Sequence, residues 1–378
     1  MSKNRFGAKL AAAAFTAAVL FAGLRAQGAD AQQPVAASSG RTLTNPLLPS
    51  GADPWVTSRN GFYYYMNTTG NSLVIWKTRH IGELKTAEKR VIWQPPASGP
   101  YSHDIWAPEL HFLGGKWYVY FAADAGKNRS HRLYVLQNSS ADPLQGEWVL
   151  KGELHAPTDK WAIDGSVFEN RGKLYLVWSG WAGDANGTQS IYLAQLKNPW
   201  TVEGKRVMIS TPEHPWEEVG DLPNRRVSRE ANPGADSDDP PHVNVNEGPE
   251  VLQHADKLFL IYSASGCWTN FYELGMAVAS AGSDLLDPSS WKKSPLPVFW
   301  ESPEAHAFGT GHNGFFKSPD GKQDWIIYHA NSEPNQGCGA HRSPRAQPFT
   351  WNPDGTPNFG RPVPVGVPIP APSGEPVQ

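Results

Sequence analysis

Charge is scarce in this chain. Only 18% of its 378 residues are Asp, Glu, Lys or Arg, and they sum to a formal −3. That leaves no electrostatic case for nucleic acid or for an anionic membrane surface as a partner. Long amphipathic helical patterns are missing after the first thirty or so positions, which argues against a helical architecture. No nucleophilic Ser or Cys motif stands out, so covalent catalysis through a hydroxyl or thiol has no signature here. There are two cysteines, Cys267 and Cys338, 71 positions apart. They either pair, as an oxidising compartment would allow, or stay as buried free thiols.

What is abundant is Gly (36), Pro (34) and Trp (16). The first two imply many turns. The third implies that some indoles serve as ligand platforms rather than core.

The amino terminus reads as a secretory signal over residues 1–31. Lys3, Arg5 and Lys9 form a basic region, Leu10 to Leu24 an apolar Ala-rich one, and Ala29-Asp30-Ala31 a small-x-small cleavage pattern. The apolar run is too short for a stable membrane span. Residues 32–43 are polar and expected to be a disordered leader. The expected location is secreted or periplasmic, with no membrane partner.

One pattern then recurs: a turn followed by a short aromatic and β-branched strand. Its five copies are Asn60 to Tyr65, Gly115 to Phe121, Gly172 to Trp178, Asp256 to Tyr262 and Lys322 to Tyr328. Near-continuous apolar runs bounded by turns suggest strands covered on both faces. Spacings of roughly 50 to 85 residues suggest radial repetition. Each copy follows a polar segment: Ala52-Asp53-Pro54-Trp55, Asp104 to Glu109, Ala162 to Ser166, Asn246 to Glu250, and Gly309 to Gly314. In a β-propeller the equivalent positions of each blade meet at the mouth of a central channel. The expected fold is therefore all-β, a five-bladed propeller over residues 44–368, with a tail over 369–378. A ring fold would gather Asp53, Asp164, Glu247 and His312 into one pocket.

Glu247 stands in Asn244 to Val251, an apolar stretch holding a second carboxylate, Glu250, and expected to lie just ahead of the strand Leu258 to Tyr262. Partial desolvation would raise its pKa, which suits a general acid near neutrality. Three carboxylates with Trp55, Trp106 and Trp161 in the same segments suit glycoside hydrolysis: flat sugar faces stack on indoles, and one carboxyl donates a proton while another acts as a carboxylate. A third carboxylate, Asp164, would raise the acid's pKa by repulsion. Residues 211–243 form an insertion rich in Pro, Asp, Arg and Gly, expected as a surface loop over or beside the pocket mouth.

The ordered set Ala52-Asp53-Pro54, Trp106-Ala107-Pro108-Glu109, Ile163-Asp164-Gly165, Glu247-Gly248-Pro249 and Gly311-His312-Asn313 resembles glycoside hydrolase family 43, five-bladed propellers that act on arabinose- and xylose-containing polysaccharides. The resemblance runs from about Asn45 to Pro368. It implies Asp53 as general base, Asp164 as pKa modulator and Glu247 as general acid. It implies His312 at the channel centre, often beside a bound Ca²⁺ with water ligands. The segments Tyr328 to Asn331 and Gly337 to Ser343 resemble the branch containing exo-acting α-1,5-L-arabinofuranosidases. There Arg342 matches an arginine that contacts sugar hydroxyls or the acid. Glu109 replaces the commoner Asp, and either lines the pocket or supports a blade.

The expected activity is inverting release of terminal arabinofuranose by a monomer, with plant cell-wall arabinan or arabino-oligosaccharide as partner. A β-xylosidase, an endo-arabinanase and a catalytically dead sugar-binding propeller are the alternatives.

Overall fold

The computed structural model describes residues 40–158, 160–222 and 240–377. The signal expected over residues 1–31 and the acidic run Asp236 to Asp239 lie outside the described residues.

Every extended sheet is built from the recurring pattern. The aromatic runs form five strands, Phe62–Thr68, Lys116–Asp124, Lys173–Gly180, Lys257–Ala264 and Asp324–Asn331. Each is the second strand of a four-stranded antiparallel meander. The polar segments upstream form the first strands: Ala52–Arg59, His103–Leu113, Ala162–Asn170, Asn244–His254 and Phe308–Lys317. The third and fourth sheets are also joined by a short parallel pairing of Thr188 and Gln189 with Asn244 and Val245. Among the described residues no helix is long and apolar enough to cross a membrane.

The first strands touch one another in chain order, and the fifth returns to the first. Apolar side chains fill the interfaces between neighbouring sheets. Tyr118, Val135, Trp178 and Tyr192 sit between sheets two and three. Val56, Tyr63, Tyr65, Trp325 and Ile327 sit between sheets five and one. Strands covered on both faces explain the near-continuous apolar runs, with Trp117, Trp178 and Trp325 all fully buried.

The ring is tied where the chain ends meet. Strand Thr42–Thr44 pairs with Pro368–Pro370 in antiparallel register. The buried Asn45 accepts from the Ala346 amide (2.9 Å) and donates to the Ala346 carbonyl (3.0 Å). Leu43, Ile369 and Glu375 are all at most 5% exposed. This moves both terminal boundaries outward: Thr42 and Leu43 of the expected leader, and Ile369 to Glu375 of the expected tail, contribute a strand pair and buried side chains to the domain, while residues 32–39 lie outside the described residues. A leader free in solvent could not bury Leu43 against Ile369.

An Asn45→Ala change strips both partners from a buried peptide unit. It should lower the stability read from the urea midpoint by about 1–3 kcal/mol. Ile369→Ala should lower it by about 2–5 kcal/mol through the cavity it leaves. Unchanged midpoints in both would show that the terminal strand pair does not hold the ring.

Candidate active site

The acidic segments form the first strands, each ahead of its aromatic strand as expected for Glu247, and their site residues stand at bulges. In the first sheet the register slips between Ala52 and Trp55. The second sheet slips between His103 and Trp106 and again before Glu109. The remaining three slip between Ile163 and Ser166, between Glu247 and Glu250, and between Phe308 and Gly314. The bulged residues are left-handed: φ is +56° at Asp53, +42° at Ala107, +56° at Asp164, +53° at Gly248 and +49° at His312. Bulges re-aim side chains beside functional sites, and each left-handed non-glycine residue costs about 1–3 kcal/mol. Glycine is required at 248 for a second reason. A Cβ there would fall 3.2 Å from the His312 ring.

The amides freed by four of these bulges are satisfied by side chains of the preceding sheet. The Asp53 amide donates to His329 Nδ1 (3.1 Å). The Ala107 amide donates to Thr68 Oγ1 (2.7 Å). Gly248 donates to Asp164 Oδ2 (2.9 Å), and His312 donates to Ser263 Oγ (2.7 Å).

The bulges open on a cleft of about 580 Å³, within the usual range for a small-molecule site. Asp53, Asp164, Glu247, His312, Trp106, Trp161 and Arg342 all line it. Seven of the eight sequence-derived candidates are thus brought together. The eighth, Trp55, is not. It is 8% exposed, donates its indole N–H to the Leu110 carbonyl at 2.9 Å, and packs in the core between sheets one and two. Its side chain falls on the outer side of the bulge that turns Asp53 inward. Trp161 reaches the cleft wall but is only 2% exposed, stacked on Trp181 with centroids 4.8 Å apart. Trp106 keeps a partly exposed face and lies on the buried His131 ring at 4.0 Å. Glu109 does not line the cleft. It bonds His111 Nε2 at 2.9 Å, and burial pushes its carboxyl well up, so it supports a blade.

Two carboxyls of similar burial are driven apart. Burial opposes ionisation of Asp53, but the Arg342 guanidinium, His312, His329 and the Thr68 hydroxyl outweigh it and hold the group well below the usual range. Arg342 Nη1 donates to Asp53 Oδ1 at 2.9 Å, and Thr68 Oγ1 donates to Oδ2 at 2.6 Å. Glu247 has no such partner. Burial raises it to about 7, aided by Asp53 and opposed by the Tyr272 hydroxyl, which donates to Oε1 at 2.9 Å, and by Arg342. Asp164 is pushed well up by burial, then by Glu247 and Asp53, against the Gly248 amide. One group is thus ionised throughout the neutral range and another is poised to give up a proton there, the division that acid–base chemistry needs.

The sequence reading missed Thr68, Tyr272 and Trp268. Thr68 and Tyr272 sit at the end of or beyond second strands, where only the fold reveals their reach. The insertion over residues 211–243 meets the cleft through Leu222 and Val243. Cys267 and Cys338 form a disulfide on the cleft wall.

Side chains alone do not supply a calcium ligand set around His312, and the expected ion is one held largely by water. His312 Nδ1 lies 3.3 Å from Asp53 Oδ1, and burial holds the ring neutral. Among the described residues no three His, Cys, Asp or Glu side chains stand at metal-binding spacing. Calcium takes six to eight oxygens, and one imidazole supplies none.

A family model, Glycosyl hydrolases family 43, matches residues 43–357. An extracellular exo-α-(1→5)-L-arabinofuranosidase of Streptomyces avermitilis is 39% identical over 361 residues, covering 93% of this chain and 70% of that protein. One of the same name from Streptomyces chartreusis is 37% identical, covering 76% and 81%. The crystal structure of an α-L-arabinofuranosidase from Lactobacillus brevis superposes with a TM-score of 0.76 at 36% identity, covering 86% of this chain and 98% of that one.

Carbon-13 NMR of labelled carboxyls tests the electrostatics directly. Tyr272→Phe removes a bond that favours ionised Glu247, so the Glu247 midpoint should rise above about 7 while Asp53 stays ionised. Arg342→Met should raise both midpoints, because the guanidinium lowers both. A Glu247 midpoint in the ordinary carboxylate range would contradict the assignment of this group as a proton donor.

Proposed function

The chain belongs to glycosyl hydrolase family 43, and on that premise we propose that it is an extracellular exo-acting α-L-arabinofuranosidase that inverts the configuration of the arabinose it releases. Arabinan and arabino-oligosaccharides are its substrates. The five four-stranded sheets, closed through their first strands, are read as a five-bladed propeller. The cleft then sits at the mouth of its channel.

One observation carries the mechanism: Asp53, held ionised by Arg342, shares a cleft with Glu247, raised to about 7. Glu247 donates its proton to the oxygen leaving the anomeric carbon. Asp53 takes a proton from the water that attacks the opposite face. Both Asp53 oxygens are already held, one by Arg342 and one by Thr68. That suits a fixed base more than a carboxylate that must swing to attack carbon. Asp164 orients Gly248, the residue next to the acid, by accepting its amide. The arabinofuranosidase names of the relatives support the choice of sugar, and their description as extracellular supports secretion.

Exo action is supported by the names of the two Streptomyces relatives. The non-catalytic alternative has no support, since all three carboxylates are present and converge.

Proton NMR of linear α-1,5-arabino-oligosaccharides should show single arabinose units released first as the β-anomer. Mixed oligosaccharides would instead make the protein an endo-arabinanase. Xylose from xylobiose, with arabino-oligosaccharides untouched, would make it a β-xylosidase. Asp53→Asn and Glu247→Gln should each lower turnover of arabinotriose by about 10²–10⁴-fold. With arabinofuranosyl fluoride, whose leaving group departs without protonation, Glu247→Gln should lose far less than Asp53→Asn. Equal losses would remove Glu247 from the role of acid.

A further inference from the structure

With Trp55 in the core and Trp161 nearly covered, the partly exposed indoles on the cleft are Trp76, Trp106 and Trp268; Trp76 meets Tyr65 edge-on and Trp106 lies on His131. Three constraints fix the Trp268 indole. Gly266 lets it lie against the backbone, since a Cβ at 266 would fall 2.2 Å from Trp268 Cε2. Its Nε1 donates to the Asp221 carbonyl at 3.0 Å, so the polar edge is satisfied. Its neighbour Cys267 is bonded to Cys338. Among the described residues no aromatic ring stacks on it. An amphipathic ring pinned at its polar edge and partly exposed on a cleft wall is built to receive an apolar surface at little entropic cost.

Its place in the chain gives its side of the site. Trp268 lies on the segment that leaves the acid's own sheet after Lys257–Ala264 and ends at Tyr272, whose hydroxyl holds Glu247. A general acid stands beside the oxygen of the departing group. The other half of the bridge, Cys338, comes four residues before Arg342, which holds Asp53. The disulfide therefore joins the segment that grips the acid to the segment that grips the base, and Trp268 stands at that junction.

We propose that Trp268, clamped by the Cys267–Cys338 bridge, is the platform on which the leaving-group sugar stacks, with the C–H face of a pentofuranose against the indole. Trp268 is thus a specificity-determining residue for substrates that carry a sugar beyond the cleaved bond. This rests on Glu247 acting as the acid of a glycosidase.

The test compares kcat/KM for α-1,5-arabinotriose with that for α-L-arabinofuranosyl fluoride, which has no leaving sugar, in the unaltered protein and in Trp268→Leu and Trp268→Phe. In Trp268→Leu the ratio of the two should fall by about tenfold or more, through a higher KM for the trisaccharide with kcat largely kept. Trp268→Phe, which keeps a ring face, should hold most of the ratio. Trp268→Met gives the same reading should the Leu variant fail to fold. A ratio unchanged within twofold, or a Phe variant as impaired as Leu, overturns the platform. If the unaltered protein turns over neither compound, the glycosidase reading itself is overturned, and the platform with it.

Discussion

The site depends on a backbone fault repeated around the ring. Each first strand carries a bulge, and the bulges leave amides that the strand ladder does not take. Four of the freed amides are taken up by a side chain from the sheet before: His329 for Asp53, Thr68 for Ala107, Asp164 for Gly248 and Ser263 for His312. A buried amide without a partner costs about 1–3 kcal/mol, so these bonds are a condition of the bulges rather than an addition to them. Two of the acceptors work twice. Thr68 also holds Asp53 through its own proton, and Asp164 is itself a site carboxyl. The scaffold and the chemistry use the same atoms.

That sharing explains why equally buried acids behave differently. Desolvation raises every carboxyl in the cleft. Only Asp53 has a cation in direct contact, and its second oxygen also accepts a hydroxyl proton. Glu247 has the Tyr272 hydroxyl in contact and Arg342 acting from a distance, together too weak to reverse the effect of burial. The division between base and acid is thus set by which strand end carries Arg342. It is not set by depth.

Much of this could be read in the sequence, for a definite reason. The aromatic second strands are covered on both faces, so their composition marks them without further context. The five polar segments precede them at similar offsets, which is enough to foresee that Asp53, Asp164, Glu247 and His312 converge. The bulges were not legible, since nothing in Asn244 to Val251 says that the segment is a strand with a slipped register rather than a turn. Trp55 was misplaced for the same reason. Two positions after Asp53 would be the same face of a regular strand, but the bulge at Ala52 to Trp55 breaks the alternation and sends the indole into the core. Trp268 went unnoticed because its signal, a Gly-Cys-Trp run, acquires meaning only once Cys267 is seen to meet Cys338.

Because each amide bond reaches from one sheet to the next, no single sheet completes the site. Asp53 has its proton affinity set by Arg342 and His329 from the fifth sheet, nearly three hundred positions away. Glu247 raises Asp164 only when the third and fourth sheets stand side by side. An open ring would leave the same residues in water, with ordinary carboxylate affinities and unsatisfied bulges free to relax to regular strands. Closure through Asn45 and the terminal strand pair therefore does more than add stability. It completes the circuit of donors that makes one carboxyl a base and another an acid, so the fold's last contact and the site's first are, in this chain, consequences of the same geometry.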